Sequence, residues 1–174
     1  SRTIEILDGI NYSFLDNSQR QDFLFFRSFS YLRVGKTSAS LSGFTELLSF
    51  KNTRYFTAAT YYSGYIHYIQ GSFKTAISFF DKVRNDIAYS SLCSYYILES
   101  KFMLKDYDYV IRHGERVSGI VDNSMKPQVA RIISEAYFEN GDSENAKEWF
   151  ERYSRSGNNG LSRKDHYYSD IISY

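Results

Sequence analysis

Small and aromatic residues recur along the chain at helical spacing, in a pattern that can be followed through four copies. The pattern is a small residue, an aromatic three positions later, and then a second small and aromatic pair four apart. The copies start at Ser28, Gly64, Leu98 and Ser134, and their first and third positions are always 12 residues apart. The third copy keeps this register but is degenerate in its residue types, with Gly114 at an aromatic position. Residues three and four apart share a helix face, so each copy predicts a hairpin of two packed helices.

Turn residues fall between the two helices of each predicted hairpin. They are Gly35, Gly71, Lys105 and Gly141, spaced by 36, 34 and 36 residues. Glycine suits the left-handed conformation that ends a helix, and a following Ser or Asp can cap the next helix. Lys105 is the exception among the four. The string at 61–68 also returns at 167–174, 106 residues later, with five of eight positions identical.

These signals predict an all-α fold, a right-handed superhelical solenoid of antiparallel helix hairpins with about ten helices in one array over residues 1–174. One unit alone has too little core, so stacking supplies the stability. The array is expected to be cut from a longer protein, because it opens and closes on half units. Its predicted parts are a half unit at 1–15, units at about 20–51, 53–86, 88–120 and 125–156, and a half unit at 161–174.

Three strings carry a resemblance to a known family: YSGYIHYIQG at 62–71, YYI at 95–97 and AYFENGD at 136–142. With the period of about 35 residues, they resemble the tetratricopeptide repeat (TPR) family. In particular, they look like the amino-terminal repeats of large exported TPR proteins of Bacteroidetes-type bacteria. The resemblance implies a binding role without catalytic residues, and a periplasmic or cell-envelope location, with the cytoplasm as the alternative.

Composition and charge exclude several classes of function. The 21 basic and 20 acidic residues give a net charge of +1 without a run of one sign, which argues against nucleic acid as a partner. No apolar stretch is long enough to span a bilayer, so direct membrane insertion of this segment is not expected. Cys93 is the one cysteine, which excludes an internal disulfide and a multi-cysteine metal site.

The residues that could take part in catalysis do not form a catalytic pattern. The string VGKTS at 34–38 is similar to the end of a phosphate-binding loop, but Ser30 stands where that motif needs glycine, and a helix precedes it. Cys93 has no histidine near it in sequence to act as a base. Glu135 and Glu139 share a helix face, yet an open groove rarely encloses a carboxylate pair. The sequence therefore predicts that the protein is not an enzyme.

The histidines His67, His113 and His166 belong to different units, and none has a partner at metal-ligand spacing. No metal and no cofactor is predicted. His67 is expected to lie in the core.

The aromatic residues of the first helices are the best functional candidates, since the chain has 17 Tyr and 14 Phe. In a TPR hairpin the first helix lines the concave face, where tyrosine suits a binding surface. The predicted protein-binding groove consists of Phe29, Arg33, Tyr61, Tyr65, Tyr68, Tyr95, Glu99, Arg131, Glu135 and Tyr167. The leading interpretation is a scaffold for a protein or peptide. A structural spacer and a carbohydrate-binding groove remain as alternatives.

The two ends of the array predict one more property. The chain is expected to present apolar faces for neighbouring repeats at both ends. They are formed by Ile4, Ile6, Leu7 and Ile10 at one end and by Ile171, Ile172 and Tyr174 at the other. Repeat arrays normally end in polar caps, so end-to-end self-association of this segment is expected.

Overall fold

The computed structural model describes residues 2–155, in which helices joined by turns are the regular structure and no strand occurs within that range. A short 3₁₀ turn at Tyr12–Phe14 lies between the first two helices. The nine α-helices of this part of the chain are α1 Arg2–Asp8, α2 Asn17–Arg33, α3 Thr37–Leu48, α4 Phe56–Ile69, α5 Phe73–Val83, α6 Ser90–Met103, α7 Tyr107–Ile120, α8 Lys126–Glu139 and α9 Ser143–Arg155. The predicted tenth helix, at 161–174, lies outside the described residues.

The chain divides into two compact units, Ser1–Asp86 and Ile87–Tyr174. The amino-terminal unit holds α1 and the hairpins α2–α3 and α4–α5, and the described part of the carboxyl-terminal unit holds α6–α7 and α8–α9. Each unit has its own apolar core. In the first, the core includes Phe23, Leu24, Phe44, Leu47, Ala59 and Ile66. In the second, it includes Leu98, Val110, Val117, Val129, Ile132, Ile133, Ala136 and Trp149.

The spacing of 12 residues within a hairpin is visible as a direct contact. Ser40 Oγ donates to the Ser28 carbonyl oxygen (2.8 Å), and Ser134 Oγ donates to the Ala146 carbonyl oxygen (2.7 Å). Both bonds are buried and join the first helix of a hairpin to the second. A hydroxyl at either position can therefore serve the same close helix crossing.

In the second hairpin, whose repeat pattern places Gly64 twelve residues before Ala76, the side chains nearest to Gly64 are those of Phe79 and Phe80. A Cβ built on Gly64 would meet the ring of Phe80 at 2.9 Å and the Cβ of Phe79 at 3.0 Å. The aromatic ring four residues beyond Ala76 reaches back and fills the space over the glycine.

Gly114 stands where the repeat pattern expects an aromatic residue, and the structure supplies the reason. A Cβ built on Gly114 would lie 2.5 Å from Ile133 Cγ1 and 2.7 Å from its Cδ1. Ile133, on α8, is fully buried. Its side chain fills the space that a larger residue on α7 would need.

The four predicted turns share one geometry. Gly35, Gly71, Lys105 and Gly141 all have positive φ, at 77°, 75°, 60° and 82°. In each turn the next residue's N–H bonds back to a carbonyl five positions earlier, as from Asp106 to Lys101 (2.9 Å). This is the Schellman arrangement, and it satisfies carbonyls that a helix end leaves open. Of the expected caps, Asp106 and Asp142 accept a backbone N–H, whereas Ser72 makes no side-chain cap bond.

Replacing Lys105 with glycine is expected to raise the free energy of unfolding by about 1 kcal/mol, because only glycine adopts this left-handed conformation without a steric penalty. Thermal and urea unfolding would measure the change. Lys105→Ala is the matched control, since it removes the side chain and keeps the penalty. An equal gain for Ala and Gly would mean that the side chain, and not the backbone, is responsible.

The apolar end face predicted at the amino terminus is only partly exposed. Ile6 is 61% exposed and Ile10 is 38% exposed, whereas Ile4 is buried and Leu7 is half-buried. The helix α1, which carries Ile4, Ile6 and Leu7, is joined to α2 by Asp8. This carboxylate accepts hydrogen bonds from Arg27 Nε and the Tyr31 hydroxyl, both at 2.8 Å. The expected self-association stays a prediction.

Candidate protein-binding surface

Four of the predicted groove residues come together in the carboxyl-terminal unit, where α6 packs beside α8. On α6, the Tyr95 hydroxyl donates a hydrogen bond to the Glu99 carboxylate one turn later. On α8, Arg131 Nη1 donates to Glu135 Oε1 at 2.6 Å, again across one turn. The charge of Arg131 also acts on Tyr95. We call Tyr95, Glu99, Arg131 and Glu135 the polar quartet.

Burial determines how the charged and titratable groups of the polar quartet interact. The Glu135 side chain is 8% exposed, while that of Arg131 is 31% exposed. A carboxylate this deeply buried needs a paired cation, so the guanidinium fixes both its charge and its position. Burial raises the pKa of Tyr95, and the charge and hydrogen bond of Glu99 raise it further, while Arg131 opposes them. Tyr95 is therefore a neutral hydrogen-bond donor at physiological pH.

Tyr107 borders this surface, although sequence reasoning did not select it. Burial raises the pKa of its hydroxyl, and the charges of Glu139 and Glu135 raise it further. Its ring lies 5.7 Å from that of Phe102, between centroids. Because Tyr107 is the first residue of a second helix, a search restricted to first helices passes over it. Its position directly after the turn would have been the signal.

In the amino-terminal unit the predicted residue Phe29 belongs to a continuous series of packed rings. Phe25 stacks on Tyr55 with centroids 4.3 Å apart, and Phe29 lies 6.3 Å from Phe25 in a parallel arrangement. Tyr62 then contacts Phe29 at 5.2 Å. The ring faces in this series are thus largely covered by other rings.

The individual tyrosines of this unit differ in exposure. Tyr61 is only 6% exposed and packs against Phe80, so its ring offers little surface to a partner. The ring belongs to the helix–helix core of its hairpin. Tyr65 and Tyr68 are half-buried, with centroids 6.3 Å apart. These two keep part of their surface accessible to a partner.

Phe29 and Arg33 border a cleft of about 420 Å³ that also involves Thr3 of α1. Arg33 is exposed there and Phe29 is half-buried. One wall of this cleft is supplied by α1. The last predicted groove residue, Tyr167, lies outside the described residues.

The cysteine, two of the histidines and the VGKTS string considered above as possible chemical sites lie in packed helices or in a turn. Cys93 is fully buried. The His67 ring, half-buried, stacks on Phe79 at 5.4 Å, and the His113 ring lies 4.3 Å from that of Tyr109. Residues 34–36 form the turn between α2 and α3.

Residues 2–155 contain neither a metal-binding cluster nor a membrane-spanning helix. In that range, no group of three or more His, Cys, Asp or Glu is placed to hold a metal ion. None of the helices described there combines the length and the apolar character that crossing a membrane requires.

Comparison with known proteins gives structural matches but no sequence family. No family model matches the chain, and no curated protein matches it. Among solved structures, MamA from MSR-1 is 13% identical with a TM-score of 0.72, covering 88% of this chain and 84% of that one. MamA from AMB-1 is 14% identical with a TM-score of 0.74, covering 91% and 90%. A further crystal structure of MamA has a TM-score of 0.72 at 14% identity, covering 88% and 85%.

At this level of identity the matches establish the fold alone. MamA is a TPR-like helical protein, so the predicted all-α, TPR-type fold class is confirmed. The closer resemblance to exported proteins of Bacteroidetes-type bacteria stays a prediction.

Proposed function

We propose that this chain is a scaffold that binds a protein or peptide through the faces formed by the first helices of its hairpins. The observation that carries the proposal is the polar quartet, in which a buried carboxylate, a partly exposed guanidinium and a tyrosine donor lie together. Such partly desolvated groups, bordered by rings, are typical of the anchors at protein interfaces. The half-buried Tyr65 and Tyr68 offer a second contact region in the other unit.

A fold of stacked helix hairpins suits this role, because each hairpin adds surface without needing a catalytic pocket. This part of the argument is an analogy at the level of the fold. The spacer alternative draws support from the buried Tyr61 ring and from the covered ring faces around Phe25. The scaffold hypothesis predicts that the chain binds peptides, whereas the spacer hypothesis predicts that it does not.

The test is to pan a random dodecamer peptide library, displayed on phage, against the 174-residue chain. We expect peptides to be enriched, and we expect the double variant Tyr65→Ala with Tyr95→Ala to bind them at least about 30-fold more weakly. That corresponds to about 2 kcal/mol for the loss of two anchor side chains. Fluorescence anisotropy with the enriched peptides would measure the dissociation constants.

Phe14→Ala is the matched control, because this ring is 84% exposed and lies in the 3₁₀ turn, outside the helix hairpins. Circular dichroism must give the same helix content for all variants. If the double variant folds and still binds the enriched peptides, the first-helix faces are not the site. If no peptide is enriched, the spacer hypothesis is favoured.

A further inference from the structure

A polar cleft lies between α2 and α3 in the amino-terminal unit, which does not contain the polar quartet. One part of it, of about 190 Å³, is lined by residues of these two helices, among them Arg27, Ser28, Gly43 and Glu46. A second part, of about 270 Å³, is also bordered by residues of the segment 8–12. The two parts share Arg27 and Glu46, so they adjoin. Pockets for whole small molecules usually measure about 300–1,000 Å³, so each part has room for a small ring and its substituents.

The hydroxyl of Ser28 forms part of the wall of this cleft. Ser28 is 1% exposed, and among the described residues only its carbonyl oxygen takes part in a side-chain hydrogen bond, as the acceptor for Ser40. Ser134, at the same position of its repeat, instead donates its hydroxyl to the Ala146 carbonyl oxygen. A nearly buried hydroxyl without a partner is costly, so this wall favours a ligand that bonds to it.

Gly43 keeps the cleft open beside this hydroxyl. A Cβ built on Gly43 would collide with Ser28 Oγ and lie 3.4 Å from Ser28 Cβ. Any side chain at position 43 would therefore displace the Ser28 hydroxyl from its place in the wall.

The charged side chains of the cleft decide the charge of the ligand. Arg27 Nε donates to Asp8 Oδ1, and the Tyr12 hydroxyl donates to Glu46 Oε1, both at 2.8 Å. A cation entering the second part would meet Arg27, and an anion would meet Asp8 and Glu46. Like charges at close range disfavour binding. The cleft therefore favours a neutral ligand that carries both hydrogen-bond donors and acceptors.

Aromatic rings supply the apolar part of the cleft. Tyr12 and Phe23 line its second part, with centroids 5.4 Å apart, and Tyr31 lines its first part. A sugar ring combines a C–H face, which packs on aromatic rings, with hydroxyl groups that both donate and accept. Neutral sugars thus match the rings, the paired charges and the Ser28 hydroxyl together.

We propose that this cleft binds the neutral sugar residues of an oligosaccharide. The sugar hydroxyls bond to the Ser28 hydroxyl, the Arg27 guanidinium and the Glu46 carboxylate. The C–H face of the sugar packs on the rings. This inference goes beyond the proposed scaffold function and does not depend on it, because the cleft shares no residue with the polar quartet or with Tyr65 and Tyr68.

The test is an array of immobilised oligosaccharides, probed with the fluorescently labelled 174-residue chain. The array carries neutral, acidic and amino-sugar members. We expect neutral members to bind. In isothermal titration with the bound oligosaccharide, Ser28→Ala and Glu46→Ala should each weaken binding about tenfold, as for the loss of one hydrogen bond. Ser28→Ala should not lower the melting temperature, because it removes a hydroxyl that has no partner in the fold.

Ser134→Ala is the matched control, since it removes the buried hydroxyl at the equivalent repeat position of the other unit. It should lower the melting temperature by breaking the bond to Ala146, and it should leave sugar binding unchanged. If Ser28→Ala lowers the melting temperature as Ser134→Ala does, the Ser28 hydroxyl serves the fold and the proposal is overturned.

The remaining outcomes are equally decisive. Binding to no member of the array, or only to acidic or amino-sugar members, overturns the neutral-sugar site, and so does undiminished binding by both cleft variants. The double variant Tyr65→Ala with Tyr95→Ala should keep its sugar binding. Failure of the sugar site and failure of the peptide scaffold are therefore separate results.

Discussion

Replacing Arg131 with methionine is expected to lower the free energy of unfolding by about 3 kcal/mol, because it leaves a buried carboxylate without its cation. Glu135 is 8% exposed at its side chain, so water can reach it only slightly. Methionine keeps the apolar stem of the arginine, and the loss is therefore mainly electrostatic. Urea unfolding at neutral pH would measure the change.

A double variant separates the charge from the packing. Arg131→Met together with Glu135→Met should recover most of the lost stability, because removing both charges leaves no ion to desolvate. Arg152→Met is the matched control, since Arg152 pairs with Glu148 one turn away in the same way but both side chains are about half exposed. Its cost should stay below about 1 kcal/mol. Equal costs for the two single variants would show that the burial of Glu135 is not decisive.

Replacing Gly114 with alanine is expected to lower the free energy of unfolding by about 2 kcal/mol, by overpacking the contact between α7 and α8. The added methyl group would lie 2.5 Å from Ile133 Cγ1. Ile133 is a buried, branched side chain, so it cannot move aside without disturbing its own neighbours. Thermal unfolding would report the loss as a lower melting temperature.

Gly119 offers a control within the same helix. A Cβ there would meet nothing within 4 Å, so Gly119→Ala should raise the stability by about 0.5–1 kcal/mol through the higher helix propensity of alanine. Adding Ile133→Ala to Gly114→Ala should make the new methyl group harmless, leaving only the cost of the shortened isoleucine. If Gly114→Ala stabilises the chain as Gly119→Ala does, the close contact with Ile133 is not a constraint.

The sequence predicted the helix hairpins well because their signals are local. The turn at Gly35, and its equivalents one repeat apart, depend on a few neighbouring residues whose backbone preferences are strong. The spacing of 12 residues from Ser28 to Ser40 is likewise a property of one hairpin. Even Lys105 adopts the predicted turn, since the backbone bonds of the motif hold it there.

Features that depend on contacts between helices could not be predicted in the same way. Gly114 breaks the residue pattern because of Ile133, a residue of the next hairpin. Tyr61 was selected by its register, but Phe80 determines how much of its ring is covered. The pairing of Arg131 with Glu135 could be expected from their spacing, whereas the depth of Glu135 could not. A side chain's exposure depends on the residues packed over it, and these are distant in sequence.

The reactivity of the Cys93 thiol can report local unfolding of the carboxyl-terminal unit. Cys93 carries the one thiol in the chain, and in the native state it is fully buried within α6. A thiol reagent can modify it only when this region opens, so the labelling rate counts openings of the carboxyl-terminal unit without any engineered tag. Adding a captured peptide and following the same rate would then tell whether the partner holds this unit closed, even if no change of structure accompanies binding.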